Sequence, residues 1–95
     1  MRYESFVPHE AIVEIEEIAL YYELDQPGLG QNFKQAIDAA IVELEAFHAH
    51  QVRYDDIRLK QIRRFPHLIH YRVDELHHLI VVLTVLHPRR DSLVG

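Results

Sequence analysis

Two pairs of arginines in the last third of the chain carry the clearest chemical potential. Arg63 and Arg64 precede Phe65-Pro66, and Arg89 and Arg90 follow the apolar run that ends in Val85-Leu86-His87-Pro88. A guanidinium group is a planar fork of donors that can grip a carboxylate or a phosphate through two bonds at once. One pair beside a kink and another at a strand end are expected to meet an anionic partner. His87 either assists as a hydrogen-bonding neighbour of Arg89 or, the more common use, is a satisfied structural histidine. Pairing of Arg89 and Arg90 with Asp91 or with helix acids is the alternative. Arg58 and Lys60 precede Arg63 on the same expected strand. They either contact an acidic partner or form a charged edge that blocks unwanted sheet pairing.

Eight histidines raise the question of a metal. His67 and His70 fall on opposite faces of a regular strand. His77 and His78 are adjacent and diverge, and His48 and His50 cannot share a helix face. No spacing matches a zinc motif, so neither a metal nor another cofactor is expected. Gly28 and Gly30 lack the Lys-Ser/Thr that follows in a phosphate-binding loop. Helical spacing puts Tyr22 on a core stripe and Tyr21 near its edge.

These residues need a scaffold, and the composition bounds it. Ninety-five residues fill one core, a single domain over 1–95. The chain is 48% hydrophobic and 26% charged, as suits a folded soluble domain. It has no cysteine, which fits a reducing cytoplasm. No apolar run is long enough to span a membrane, and the acidic start is unlike a secretory signal. The net charge of −5 is unevenly spread. Residues 1–56 hold three basic and twelve acidic side chains, a balance of −9, whereas residues 57–95 hold seven and three, a balance of +4. An acidic total disfavours direct nucleic-acid binding. The basic part suits acidic partners.

Periodicity supplies the elements. Residues 1–7 suit a short strand. Pro8 and Glu10 suit the first turn of a helix to about Leu24, with Ala11, Ile12, Ile15, Ile18, Ala19 and Tyr22 as its buried stripe. Asp25-Gln26-Pro27-Gly28-Leu29-Gly30 breaks it. A second helix runs from about Leu29 to His50, with Phe33, Ile37, Ala40, Ile41, Leu44 and Phe47 inward. Arg53 to Asp56 make a polar link. Ile57 to Phe65 alternates with a break that a bulge would reconcile. In His67–Val73, Ile69, Tyr71 and Val73 face one way. His78 to Leu86 is apolar on both faces, as in the middle of a sheet covered on both sides. The sum is an α+β, two-layer fold in the order β-α-α-β-β-β. A helical hairpin packs on a curved antiparallel sheet of three to four strands.

Several segments resemble the RelE/ParE superfamily of type II toxin–antitoxin toxins, and its plasmid-stabilisation, ParE-like branch in particular. They are Pro8-His9-Glu10-Ala11, Ile18 to Glu23 with Pro27-Gly28-Leu29-Gly30 and Phe33, Arg64 to Val73, and Val85 to Asp91. The resemblance implies a cytoplasmic bacterial toxin that binds and inhibits a target, DNA gyrase among the candidates, and is neutralised by a cognate antitoxin. It implies target-binding roles for Arg63, Arg64, His87, Arg89 and Arg90, and antitoxin-binding roles for Arg58, Lys60 and Tyr21. RelE-like relatives are ribosome-dependent nucleases of messenger RNA, and that activity would rest here on Arg64, Arg89 and Arg90. The sequence departs from the nuclease pattern, since Leu68 replaces an arginine and no tyrosine follows Asp91. Binding without catalysis is therefore favoured. A non-toxic protein-binding module is a third reading.

Overall fold

Pro8 stands at the N-cap of the first helix, and its carbonyl accepts the Ile12 N–H at 3.0 Å. The computed structural model describes residues 2–48 and 52–88, and at 52 and 53 the backbone alone. Within it run β1 (Glu4–Phe6), α1 (His9–Asp25), α2 (Leu29–Ala46), β2 (Val52–Tyr54), β3 (Ile57–Gln61), β4 (Leu68–Asp74) and β5 (Leu79–Leu86). The sheet order is β1-β5-β4-β3-β2; β1 runs parallel to β5 and the other pairs are antiparallel. The α+β class and the hairpin-on-sheet arrangement are as expected. No helix among the described residues is long and apolar enough to cross a membrane.

The hairpin turn is built from glycine and one carboxylate. Gly28 takes φ 91°, a left-handed conformation that costs other residues about 1–2 kcal/mol. Glu23, in the last turns of α1, accepts the N–H groups of Gly28 at 3.0 Å and of Gly30 at 3.1 Å. It thereby satisfies donors that the start of α2 would leave open. At Gly30 a Cβ would collide with the Ala19 carbonyl oxygen, so only glycine lets the helices approach this closely.

One core joins the hairpin to the sheet. Ala11, Ile15 and Ala19 of α1 and Phe33, Ile37, Ala40 and Leu44 of α2 meet Ile69, Tyr71, Ile80, Val82 and Val85. Each large side chain buried here contributes roughly 1.5–3 kcal/mol of transfer free energy. The Tyr71 hydroxyl, wholly buried, donates to the His48 carbonyl at 2.9 Å, as a buried polar group must find a partner.

Several boundaries differ from the sequence reading. The polar link contributes the three-residue strand β2, which turns into β3 through Asp55-Asp56 with Asp55 at φ 48°. An aspartate tolerates that region. α2 ends at Ala46, and Phe47 is extended and 65% exposed rather than inward. Ile12 is 46% exposed, turned away from the stripe of Ala11, Ile15 and Ala19. β3 stops at Gln61 instead of bulging onward to Phe65. The β4–β5 register slips instead, with His70 opposite Thr84 and Tyr71 opposite Val82. β5 does lie between β1 and β4, but the helices cover one face only. Its other side chains are half-buried rather than enclosed.

Candidate functional site

The β3–β4 connection, residues 62–67, creates the surface of interest. Ile62 and Phe65 are buried, Arg63 and Arg64 are exposed, and Arg64 takes φ 73°. A non-glycine residue in that conformation costs about 1–2 kcal/mol, which the anchoring of Phe65 offsets. Phe65 is held by edge-to-face contacts with Tyr22 at 5.0 Å and Phe33 at 5.1 Å. His67 extends the same cluster, 5.4 Å from Phe33, 5.9 Å from Tyr22 and 5.3 Å from His87. These rings form a wall with a cleft on each side.

The basic cleft, of about 490 Å³, lies between the loop and the first half of α2. Arg63, Arg64, Asn32 and Gln35 supply its polar groups, and Leu29, Ala36 and Phe65 its apolar ones. Arg63 lies 3.3 Å from Glu43, which also takes Lys60 at 2.6 Å. The Arg63 side chain is 84% exposed, so that pair is weak and easily exchanged. Arg64 makes no ion pair among the described residues. The β3–β4 register puts Arg58 opposite Tyr71 and Lys60 opposite Ile69, on the side that faces the helices. Lys60 is therefore tied down by α2, and Arg58 is half-buried with its Nε enclosed.

The second cleft is larger, about 630 Å³, and acidic. It opens between α1 and the end of β5, and it is lined by Glu14, Glu17, Tyr21, Tyr22, His67 and His87. Glu14 accepts the Thr84 hydroxyl at 2.6 Å and the Val85 N–H at 2.7 Å, just where the β5 register slips. A charged acceptor thus pairs a backbone donor beside the irregularity in the ladder. Burial, and secondarily the adjacent Tyr21, pushes the Tyr22 hydroxyl above its ordinary value and keeps it a neutral phenol.

The structure therefore divides the residues singled out by sequence. Arg63 and Arg64 share the basic cleft, while Tyr21 and His87 share the acidic one. Arg89 and Arg90 lie outside the described residues. Sequence reasoning missed Glu14, Glu17 and His67 as cleft residues. The spacing of Glu14, Glu17, Tyr21 and Tyr22 along one helix was a usable signal. The contribution of β5 was not foreseeable from spacing. No group of three or more metal-ligating side chains converges among the described residues.

Residues 7–92 match the family described as ParE toxin of type II toxin-antitoxin system, parDE. No protein with a curated description matches the sequence. Among solved structures, a chromosomal ParDE toxin–antitoxin system from P. aeruginosa superposes with a TM-score of 0.78 at 16% identity, covering 90% of this chain and 96% of that one. A mutant of the E. coli toxin RelE in the free state gives 0.68 at 13% identity, covering 99% and 92%. The toxin–antitoxin complex RelBE2 from Mycobacterium tuberculosis gives 0.61 at 17% identity, covering 92% and 99%. At these identities the likeness is one of fold.

Proposed function

The chain belongs to the ParE toxin family of type II toxin–antitoxin systems, and from that membership we propose that it arrests growth by gripping a protein target and is silenced by a cognate antitoxin. DNA gyrase is the target to test first. Arg63 and Arg64 make the target contact, joined by His87 from the far side of the aromatic wall and by Arg89 and Arg90, which follow it in sequence. The toxin works in the cytoplasm, where such a target resides.

The observation that carries binding over cleavage is the make-up of the basic cleft. A nuclease needs a proton-transfer group beside its cations. The described lining of this cleft offers guanidiniums, amides and apolar groups, with no acid or base among the described residues. Leu68, where nuclease relatives place an arginine, is half-buried on β4.

An antitoxin has two kinds of surface to use. Val13, Leu20 and Leu24 are 41%, 59% and 80% exposed and lie on the side of α1 opposite its buried stripe, a ready seat for an amphipathic helix. The short edge strands β1 and β2 offer backbone groups to an added strand. Tyr21 lies beside the first surface, and Arg58 and Lys60 beside the second.

Induced expression of the chain alone should stop growth, and co-expression of the antitoxin gene should restore it. Purified toxin should inhibit DNA supercoiling by gyrase. Growth at the normal rate with abundant folded protein would overturn the toxin reading. Cleavage of cellular messages at codon boundaries after induction would overturn the binding mechanism in favour of a nuclease.

A further inference from the structure

The acidic cleft has a use that differs from target gripping by arginines. We propose that the aromatic, acidic cleft between α1 and the end of β5 receives the cationic side chain of an arginine or lysine presented by a protein partner. This rests on the reading that the chain works through protein partners, and it names the chemistry by which one of them is recognised.

Three observations carry it. First, aromatic rings surround the space in sequence: Tyr21 and Tyr22 meet edge to face at 6.1 Å, Tyr22 meets His67, and His67 meets His87. A cation over such ring faces is attracted by their quadrupoles, the more so when partly desolvated. Second, carboxylate capacity remains. Glu14 uses Oε1 for both Thr84 and Val85. Among the described residues Glu14 Oε2 and the Glu17 carboxylate carry no hydrogen bond or ion pair. Third, no lysine or arginine among the described residues lines the cleft. Lys34, on the neighbouring helix, is committed to Glu16 at 3.0 Å. An anion would be repelled here, and a neutral apolar group would leave two carboxylates partly desolvated without compensation. A side-chain cation satisfies both linings at once, with its methylene stem against Ile18 and Val85.

The opposite sign of the two clefts also fits a single partner segment that carries acids toward Arg63 and Arg64 and a base toward Glu17. Such a segment would be fixed in direction as well as position, because reversing it would set like charges together.

The test uses the purified full chain labelled with ¹⁵N and titrated with N-acetyl-arginine methylamide. The expected result is saturable shifts at the amides of Glu17, Tyr21, His67 and His87. The citrulline analogue, equal in shape but uncharged, should bind roughly tenfold more weakly, the weight of one charged contact. Glu17→Gln should weaken the arginine probe by a similar factor while the rest of the spectrum stays native. Tyr21→Ala, also at an exposed position, should weaken it without unfolding the chain. Absence of saturable shifts, or equal binding of the citrulline probe, would overturn the proposal. An Arg89→Ala/Arg90→Ala variant should bind the probe as the parent does. A marked gain in affinity would assign the cleft to the chain's own arginines and overturn the partner reading. Because the titration needs neither antitoxin nor target, its failure leaves the growth-arrest experiment standing, and the converse holds.

Discussion

The two clefts share a wall but hold their charges differently. In the basic cleft the guanidiniums end long exposed arms, and the ion pair of Arg63 with Glu43 is open to water. In the acidic cleft Glu14 is bonded to the backbone of β5 and cannot move without disturbing the strand. The first arrangement attracts at a distance, adapts its reach and weakens with salt. The second is fixed before any ligand arrives, so less ordering cost remains at binding. One small fold thus pairs a steering surface with a preorganised one, and the loop 62–67 keeps them apart.

Removing the wall should have the largest effect. Phe65→Ala is expected to cost about 3–5 kcal/mol in urea unfolding and to abolish growth arrest and probe binding together. A loss confined to one cleft would show that the wall is not shared. Next comes the fixed charge. Glu14→Ala should cost about 1.5–3 kcal/mol, because the Val85 N–H and the Thr84 hydroxyl lose a charged acceptor. Hydrogen exchange should rise at Val85 while the amides of Arg63 and Arg64 stay as protected as before. Arg64→Gly sharpens the contrast from the other side. Relief of the left-handed strain and the greater entropy of unfolded glycine offset each other, so stability should move by less than about 1 kcal/mol. Growth arrest should nevertheless weaken, since the cation is gone. Steep loss of stability in Arg64→Gly would mean that this arginine holds the loop rather than a partner.

The smallest effect lies away from both clefts and serves as the control. Bonds from the His77 side chain, and then from its backbone N–H, hold the Asp74 carboxyl below its ordinary value. A carboxylate depressed on folding stabilises the fold above its unfolded pKa, near 3.8, and that contribution fades as pH falls through the folded value. Asp74→Asn should therefore flatten the acid limb of a stability–pH curve slightly and leave growth arrest and probe binding untouched.

The scaffold was legible in the sequence because each element announces itself locally. The PGLG break, the three-to-four spacing of Ala11, Ile15 and Ala19, and the alternation of Ile69, Tyr71 and Val73 depend on neighbours within a few residues. β2 was illegible because its three residues pair by proximity to β3 rather than by hydrophobic pattern. The misplaced bulge has a similar cause: a register slip belongs to two strands, and β5 shows it only against β4. Arg63 and Arg64 stood out by type and by the following Phe65-Pro66. The acidic cleft did not, because it needs Glu14 to meet Thr84 across 70 positions of chain. Tyr21 and Tyr22 were placed correctly on their helix, one inward and one at the rim. What they faced was a matter of tertiary packing.

The parallel pairing of β1 with β5 has a consequence in time. Glu4–Phe6 leave the ribosome early, yet their neighbours Leu79–Val81 emerge only after both helices and three other strands. Until then the sheet lacks an inner member, and Glu14 has no Val85 to hold. A nascent copy therefore lacks that surface for most of its own synthesis, and gains it only as the last strand docks between the first and the fourth.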